Sequence, residues 1–442
     1  MATTSTLRVR PREPAFAARF ELAGTAALAG LVAAIALLAA ASAAAPSTIV
    51  PRALPGFFPG WLAGPLHGLS PALSIGALQA LVGIACVCFL VALRCAGRLG
   101  TRRLWTAIIL ANVAGALAPP LFSADVFGYV GYARLAALHG LNPYLVGAGA
   151  APHDPISALV GWPTLTTPYG PLFTLLSEAF VPLGIAGAVW GFKVLAALLS
   201  LATVAVLWRA APAFGRSRHS AIALFGLNPV VVVFAVPGAH NEALLALLTV
   251  AAAVWVTSGH EARAGVAAVA AAAVKASSAL LLPFALIGST QRRRAAIAMG
   301  AAIVGVAAIA IIAFGAHPAA LAGALTTQQG KVAGHSLPSE VSKLLGLGML
   351  ALGVRIAFLV ALAGVFALML RRALRGAPWL DCYGWTTLAL LCSTAWLWPW
   401  YGLWAVLPAS LSNSRALRAA TVVACLYLVA IRVLVHNPLS AG

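Results

Sequence analysis

Asp125 follows Pro119-Pro120-Leu121-Phe122-Ser123-Ala124, where a long apolar run ends. A carboxylate at such a boundary reaches both a lipid-borne phosphate and a water-borne hydroxyl. A partly dry setting would raise its pKa toward that of a general base. An acidic helix start answering free N–H groups accounts for the same residue without chemistry. Gly238-Ala239-His240-Asn241-Glu242 ends one apolar run and opens the next. It sets an imidazole, an amide and a carboxylate at a helix N-terminus, which is a natural anion seat; plain turn and capping chemistry is the alternative. Lys275 lies in an apolar helical stretch. An unpaired ammonium there costs on the order of 2.5–3.5 kcal/mol. A lipid phosphate is its expected partner, and snorkelling to headgroups is the other way out. Arg355, about nine residues into a helix expected at 346–370, also needs an anion.

Asn142-Pro143-Tyr144 and Pro168-Tyr169-Gly170-Pro171 are turns stiffened by proline, each presenting a Tyr. With Trp162 they would make a sugar-stacking wall or a membrane-boundary belt. The same two readings apply to Trp396, Trp398, Trp400 and Tyr401 around Pro399. Lys331, His335 and Glu340 are candidates for a lid over a cavity.

The elements that must hold these residues follow from composition. The chain has 442 residues, of which 62% are hydrophobic and 8% charged, with a mean hydropathy of +0.98. Nine acidic residues cannot cover a soluble globule of this size. Apolar runs of about 20 residues recur throughout, so the expected class is an all-α, multi-pass membrane protein. The net charge of +19 comes from Lys/Arg clusters between those runs, a positive-inside pattern rather than a nucleic-acid footprint. The six cysteines lie in or beside apolar runs, without a disulfide framework or paired metal spacing. Residues 1–19 read as a cytoplasmic tail, and the long run at 20–45 as a retained first helix rather than a signal peptide.

Segment 264–288 decides the topology. If it crosses twice, as two short helices meeting near Lys275, 20 Lys/Arg fall inside and 4 outside; if it crosses once, 14 face 10. The double crossing is therefore expected. It gives about 13 transmembrane helices in one domain, 20–442, with the N-terminus cytoplasmic. Outer loops then fall at about 123–186 and 315–345, the first carrying membrane-surface helices at Asp125 to Gly140 and at 171–184. Asp125, Asp154, Glu178, Glu242 and Glu340 all fall on or near the outer face, and Glu13, Glu21, Glu261 and Asp381 on the other.

Three runs then carry a resemblance. They are Pro120-Leu121-Phe122-Ser123-Ala124-Asp125-Val126-Phe127 with Tyr129, Gly140-Leu141-Asn142-Pro143-Tyr144, and Thr167-Pro168-Tyr169-Gly170-Pro171-Leu172. They resemble the integral-membrane polyprenyl-phosphate-mannose-dependent α-mannosyltransferases of actinobacterial lipoglycan assembly, GT-C glycosyltransferases near family 87. The turn at His240-Asn241-Glu242 and the lysine-bearing hairpin ending at Pro283 are similar to features of that family, and the likeness covers roughly 115–345 in pieces. It implies a GT-C fold in the cell membrane and an extracytoplasmic active site with Asp125 as general base. It also implies a hexose, mannose foremost, leaving a polyprenyl phosphate with inversion for a glycan or glycolipid acceptor. Lys275, Arg355 and His240 are the candidates for the donor phosphate. Tyr129, Asn142, Tyr144, Asp154, Tyr169, Asn241 and Glu242 are candidates for substrate contact. No metal or cofactor is expected, and the partners are the bilayer, the lipid-linked donor and the acceptor. A transporter or lipid flippase is the alternative from another class, although such proteins usually show inverted repeats with broken helices at midplane. A non-catalytic partner in an envelope assembly complex is a third reading.

Overall fold

The computed structural model describes residues 13–44, 49–51, 58–317, 323 and 330–435. Residues 1–12 of the expected tail, Arg52, and most of 318–329 in the second outer loop lie outside the described residues. The regular secondary structure among the described residues is all helical, without a strand.

The helices of eight residues or more are α1 (Glu13–Ser42), α2 (Ile75–Cys95), α3 (Thr101–Leu117), α4 (Asp125–His139), α5 (Pro171–Glu178) and α6 (Gly184–Ala210). Then come α7 (Arg218–Gly226), α8 (Glu242–Thr257), α9 (Glu261–Val274), α10 (Leu281–Gly288) and α11 (Arg292–Phe314). The last are α12 (Leu337–Leu344), α13 (Leu352–Leu374), α14 (Trp379–Ser393), α15 (Leu403–Leu411) and α16 (Arg415–Val429).

Among the described residues, six helical stretches are long and apolar enough to cross a membrane: Ala18–Ser42, Ile75–Arg98, Pro171–Phe214, Arg292–Phe314, Leu352–Leu374 and Arg415–Val433. Glu242–Thr257 and Ala276–Gly288 are apolar but shorter. The difference from the expected thirteen has a physical origin, because polar residues and prolines divide several of the apolar runs. The apolar run at 219–236 breaks at Asn228-Pro229, where the Asn228 side chain accepts from the Val230 N–H at 3.0 Å. It continues as a wholly buried π-turn over Val230–Ala235.

The expected hairpin at 264–288 is present. The Glu261 carboxylate at the start of α9 accepts from the backbone N–H groups of Thr290 and Gln291 at 3.0 and 3.2 Å, just ahead of α11. A continuous 25-residue helix would separate its ends by about 37 Å. The chain therefore enters at Glu261, turns at Lys275 and returns to the same end.

Two placements differ from expectation. The α4 helix, expected at the membrane surface, is covered by protein along one side, with eight of its 15 residues buried. Its Gly131 lets Ala148 and Val160 come within 3.1 Å of where a Cβ would stand, so the loop that follows folds over the helix. Arg355 is the fourth residue of α13 rather than about the ninth of its helix, because Gly346 and Gly348 take positive φ and delay the helix start.

Candidate active site

Two turns carry the central groups, and both are held in unusual backbone. Phe122 (φ 59°) precedes Asp125 by three residues and Ala239 (φ 56°) precedes His240 by one. They are the non-glycine residues with positive φ among those described. Such conformations persist only where surrounding structure imposes them. Leu121 N–H donates to Pro237 O at 3.3 Å, and Asn241 N–H donates to the Tyr129 hydroxyl at 3.3 Å. These bonds join the turns on either side of the site. Asp125 Oδ2 and His240 Nδ1 lie 3.3 Å apart. That is ion-pair range, but without hydrogen-bond alignment, since neither ring nitrogen has a bonded partner. The imidazole is stacked on Trp400, with centroids 3.7 Å apart at 18°.

A third turn approaches from the first loop. Gly170 N–H donates to Val274 O at 3.0 Å. A Cβ on Gly170 would stand 2.0 Å from Ala273 O, so the approach requires glycine. It brings Tyr169 beside Lys275. Lys275 leaves the helical region (φ −153°, ψ 126°) and separates α9 from the 3₁₀ turn that follows. Its ammonium donates to the Glu242 carboxylate and lies 4.4 Å from the Tyr401 ring centroid. The partner expected for this cation was a lipid phosphate; within the protein it is Glu242, wholly buried at the start of α8.

Asp125, Tyr169, Lys275, Lys331 and Arg355 open onto one cavity of about 610 Å³, walled by Trp162, Trp396, Trp398, Trp400, Tyr401 and Trp404. Leu280, Pro283, Leu359, Leu362, Phe366 and Leu390 form an apolar side to it. One carboxylate therefore shares a largely apolar chamber with three cations, among them Lys275 with its bond to Glu242.

The other candidates serve around the chamber. Tyr129 is buried against Tyr169 and Phe173, centroids 4.8 Å away in each case. The Asn142 side chain donates to Phe314 O at 2.5 Å and accepts from Tyr144 N–H at 2.9 Å. The Tyr144 hydroxyl donates to Tyr169 O at 2.9 Å. These bonds fix the loop to the end of α11. Asn241 is buried behind the wall. Asp154 sits elsewhere in the loop, accepting from Arg134 Nε at 2.9 Å, from Ile156 N–H at 3.1 Å, and lying 2.8 Å from His139 Nε2. Burial alone would raise its pKa, but the bonds from Arg134, His139 and Ile156 outweigh this and hold the carboxyl below its ordinary range.

Tyr132 and Trp404 also line the cavity and were not singled out from sequence. Tyr132 stands seven residues after Asp125, two helical turns along the same face, and Trp404 follows Trp400 at helical spacing. Those periods were the available signal.

A family model described as alpha-(1->6)-mannopyranosyltransferase, N-terminal domain, matches residues 27–291. The chain belongs to this family. It is 32% identical over 191 residues to alpha-(1->6)-mannopyranosyltransferase A of Mycobacterium tuberculosis (strain ATCC 25618 / H37Rv), a stretch covering 42% of this chain and 35% of that protein. It is 31% identical over 173 residues to the protein of the same name in Corynebacterium glutamicum, covering 38% of this chain and 35% of the relative. The matches thus span about a third of the relatives' own length. No solved structure matches the chain. The family match contains Asp125, His240, Glu242 and Lys275, whereas Lys331, Arg355 and the wall from Trp396 to Trp404 lie beyond it.

Proposed function

We propose that this chain is a membrane α-mannosyltransferase that moves a hexose, mannose foremost, from a polyprenyl phosphate to a glycan or glycolipid acceptor. The observation that carries the reading is the shared cavity: Asp125 opens onto the same chamber as Lys275 and Arg355. Asp125 takes the proton of the acceptor hydroxyl as its oxygen bonds to the anomeric carbon. The bond from that carbon to the phosphate oxygen breaks on the opposite face, which inverts the centre. The departing phosphate gains charge, and Lys275 and Arg355 stabilise that charge more in the transition state than in the ground state. The apolar side between α10, α13 and α14 suits a prenyl chain, and the tryptophan wall suits sugar rings. No cofactor is called on beyond the lipid-linked donor. In this reading the chain crosses the bilayer about thirteen times with its N-terminus inside, and the chamber faces the extracytoplasmic side.

The test uses purified protein in detergent with labelled polyprenyl-phosphate mannose and a mannan acceptor. Label should transfer, and Asp125→Asn should abolish transfer without unfolding the protein. Full activity in Asp125→Asn would remove the base assignment. Failure to consume any sugar phospholipid, with solute movement into liposomes instead, would favour a transporter.

A further inference from the structure

Lys193 is the tenth of the 27 residues of α6 and is wholly buried. Its ammonium donates to three backbone carbonyls: Pro237 O at 2.6 Å, Gly115 O at 3.0 Å and Pro119 O at 3.4 Å. Among the described residues it makes no ion pair with a carboxylate. Its ammonium also lies 5.9 Å from the Trp190 ring centroid. A cation among apolar helices is costly unless something fixed and polar receives it. Here that receiver is the end of α3 together with the turn after Val236. Gly115 and Pro119 bracket the last turn of α3, whose carbonyls lack helical partners. Pro119 stands six residues before Asp125 and Pro237 three before His240.

We propose that Lys193 is a positioning residue that sets the separation of Asp125 from His240, by tying the two chain segments that carry them to one ammonium. No single backbone bond does this as firmly. The Leu121–Pro237 bond crosses the same gap at 3.3 Å but shares its acceptor with Lys193. The neighbouring Phe192 packs 5.5 Å from Tyr129, whose hydroxyl receives Asn241 N–H. One turn of α6 therefore supports both joins between the segments. Both strained residues, Phe122 and Ala239, lie between the tie and the groups it would position. Loosening the tie lets that backbone relax and carries the carboxylate away from the imidazole. The donor's cations, Lys275 and Arg355, stand on other elements and keep their places.

This rests on the assignment of Asp125 as the base, and the experiment separates the two. Lys193→Met, Lys193→Gln and Asp125→Asn are measured together for kcat, donor KM, the pH profile of kcat and thermal unfolding in detergent. Displacement of reacting groups by about 1 Å costs on the order of 100-fold in rate. The expected result for Lys193→Met is a kcat lower by about that factor, an unchanged donor KM and a displaced acid limb. Lys193→Gln, whose amide still donates to two carbonyls, should recover part of the rate. In the Asp125→Asn background Lys193→Met should cost little more, because the group it positions is gone. A folded Lys193→Met with normal kcat and pH profile, beside an inactive Asp125→Asn, would overturn the positioning role and leave the base assignment standing. Active Asp125→Asn would overturn the base assignment instead. Failure of both Lys193 variants to fold would make the lysine a general packing support and also overturn the proposal.

Discussion

Lys275 and Glu242, 33 residues apart in the chain, form an ion pair at the wall of the chamber, the carboxylate wholly buried and the ammonium 15% exposed. The pair has two consequences. It fixes the Lys275 side chain over the Tyr401 ring, and it makes each partner dependent on the other. Removing one member of a buried pair leaves an uncompensated charge and costs about 3–5 kcal/mol. Glu242→Gln and Lys275→Met should each lose stability of that order in detergent unfolding. The double variant should regain most of it. Transfer should not return with it, since the cation that receives the departing phosphate is absent. A double variant as active as the parent would remove Lys275 from the phosphate role.

Asp154 should behave differently from Asp125 despite lying in the same loop. Its carboxyl is held low by Arg134, His139 and Ile156 against the opposing effect of burial. A depressed folded-state pKa adds stability above the unfolded value of about 3.9, and that stability is lost as pH falls through the folded value. Unfolding followed downward from pH 6 should therefore show a loss on the acid side that Asp154→Asn lacks. At neutral pH the variant should be less stable by about 2 kcal/mol, the order of a charged hydrogen bond. Where it remains folded it should retain far more transfer activity than Asp125→Asn. Equal loss of activity would place Asp154 in contact with substrate.

Lys331 lies 5.0 Å from the Trp162 ring centroid and 5.1 Å from that of Trp396, with the two rings 6.2 Å apart. Burial lowers its pKa, and the charge of Asp125 works in the opposite direction. The ammonium thus loses its proton earlier than an exposed lysine as pH rises, and its hold on both rings weakens. If these rings receive the acceptor, acceptor KM should climb on the alkaline side. Lys331→Arg should flatten that climb, and Lys331→Met should raise KM at every pH. A cation over an aromatic face contributes about 0.5–2 kcal/mol, equivalent to about 2- to 30-fold in KM. An unchanged acceptor KM in Lys331→Met would remove the rings from acceptor binding.

Much of the site was legible because charges are scarce in this chain. Asp125, Lys275 and Arg355 stand out in an apolar sequence, and physical cost alone makes them candidates. All three line one chamber. What composition could not convey was pairing. Nothing in the spacing of Glu242 and Lys275 predicts that the carboxylate of one turn meets the ammonium of another. The burial of α4 was likewise hidden, since its apolar spacing suits a membrane surface as well as a covering loop, and only the close approach at Gly131 distinguishes them. Lys193 was visible as a lone charge within a span. Its partners were not, because they are backbone carbonyls, and those leave no trace in residue type.

The return of the chain at Lys275 admits a direct test of topology. Glu261 bonds to Thr290 and Gln291, so Arg263 and Arg293 belong at the same end of the hairpin. Basic residues concentrate on the cytoplasmic side, and counting the hairpin as two crossings places 20 of the 28 Lys/Arg there. In a background lacking the six native cysteines, single cysteines at 263 and 293 should both react with an impermeant thiol reagent only from the cytoplasmic side. A cysteine at 331, beside the chamber, should react only from outside. Opposite labelling of 263 and 293 would straighten the hairpin. Lys275 would then stand within a single span rather than at a turn, away from the end that carries Asp125, and the two could not serve one reaction.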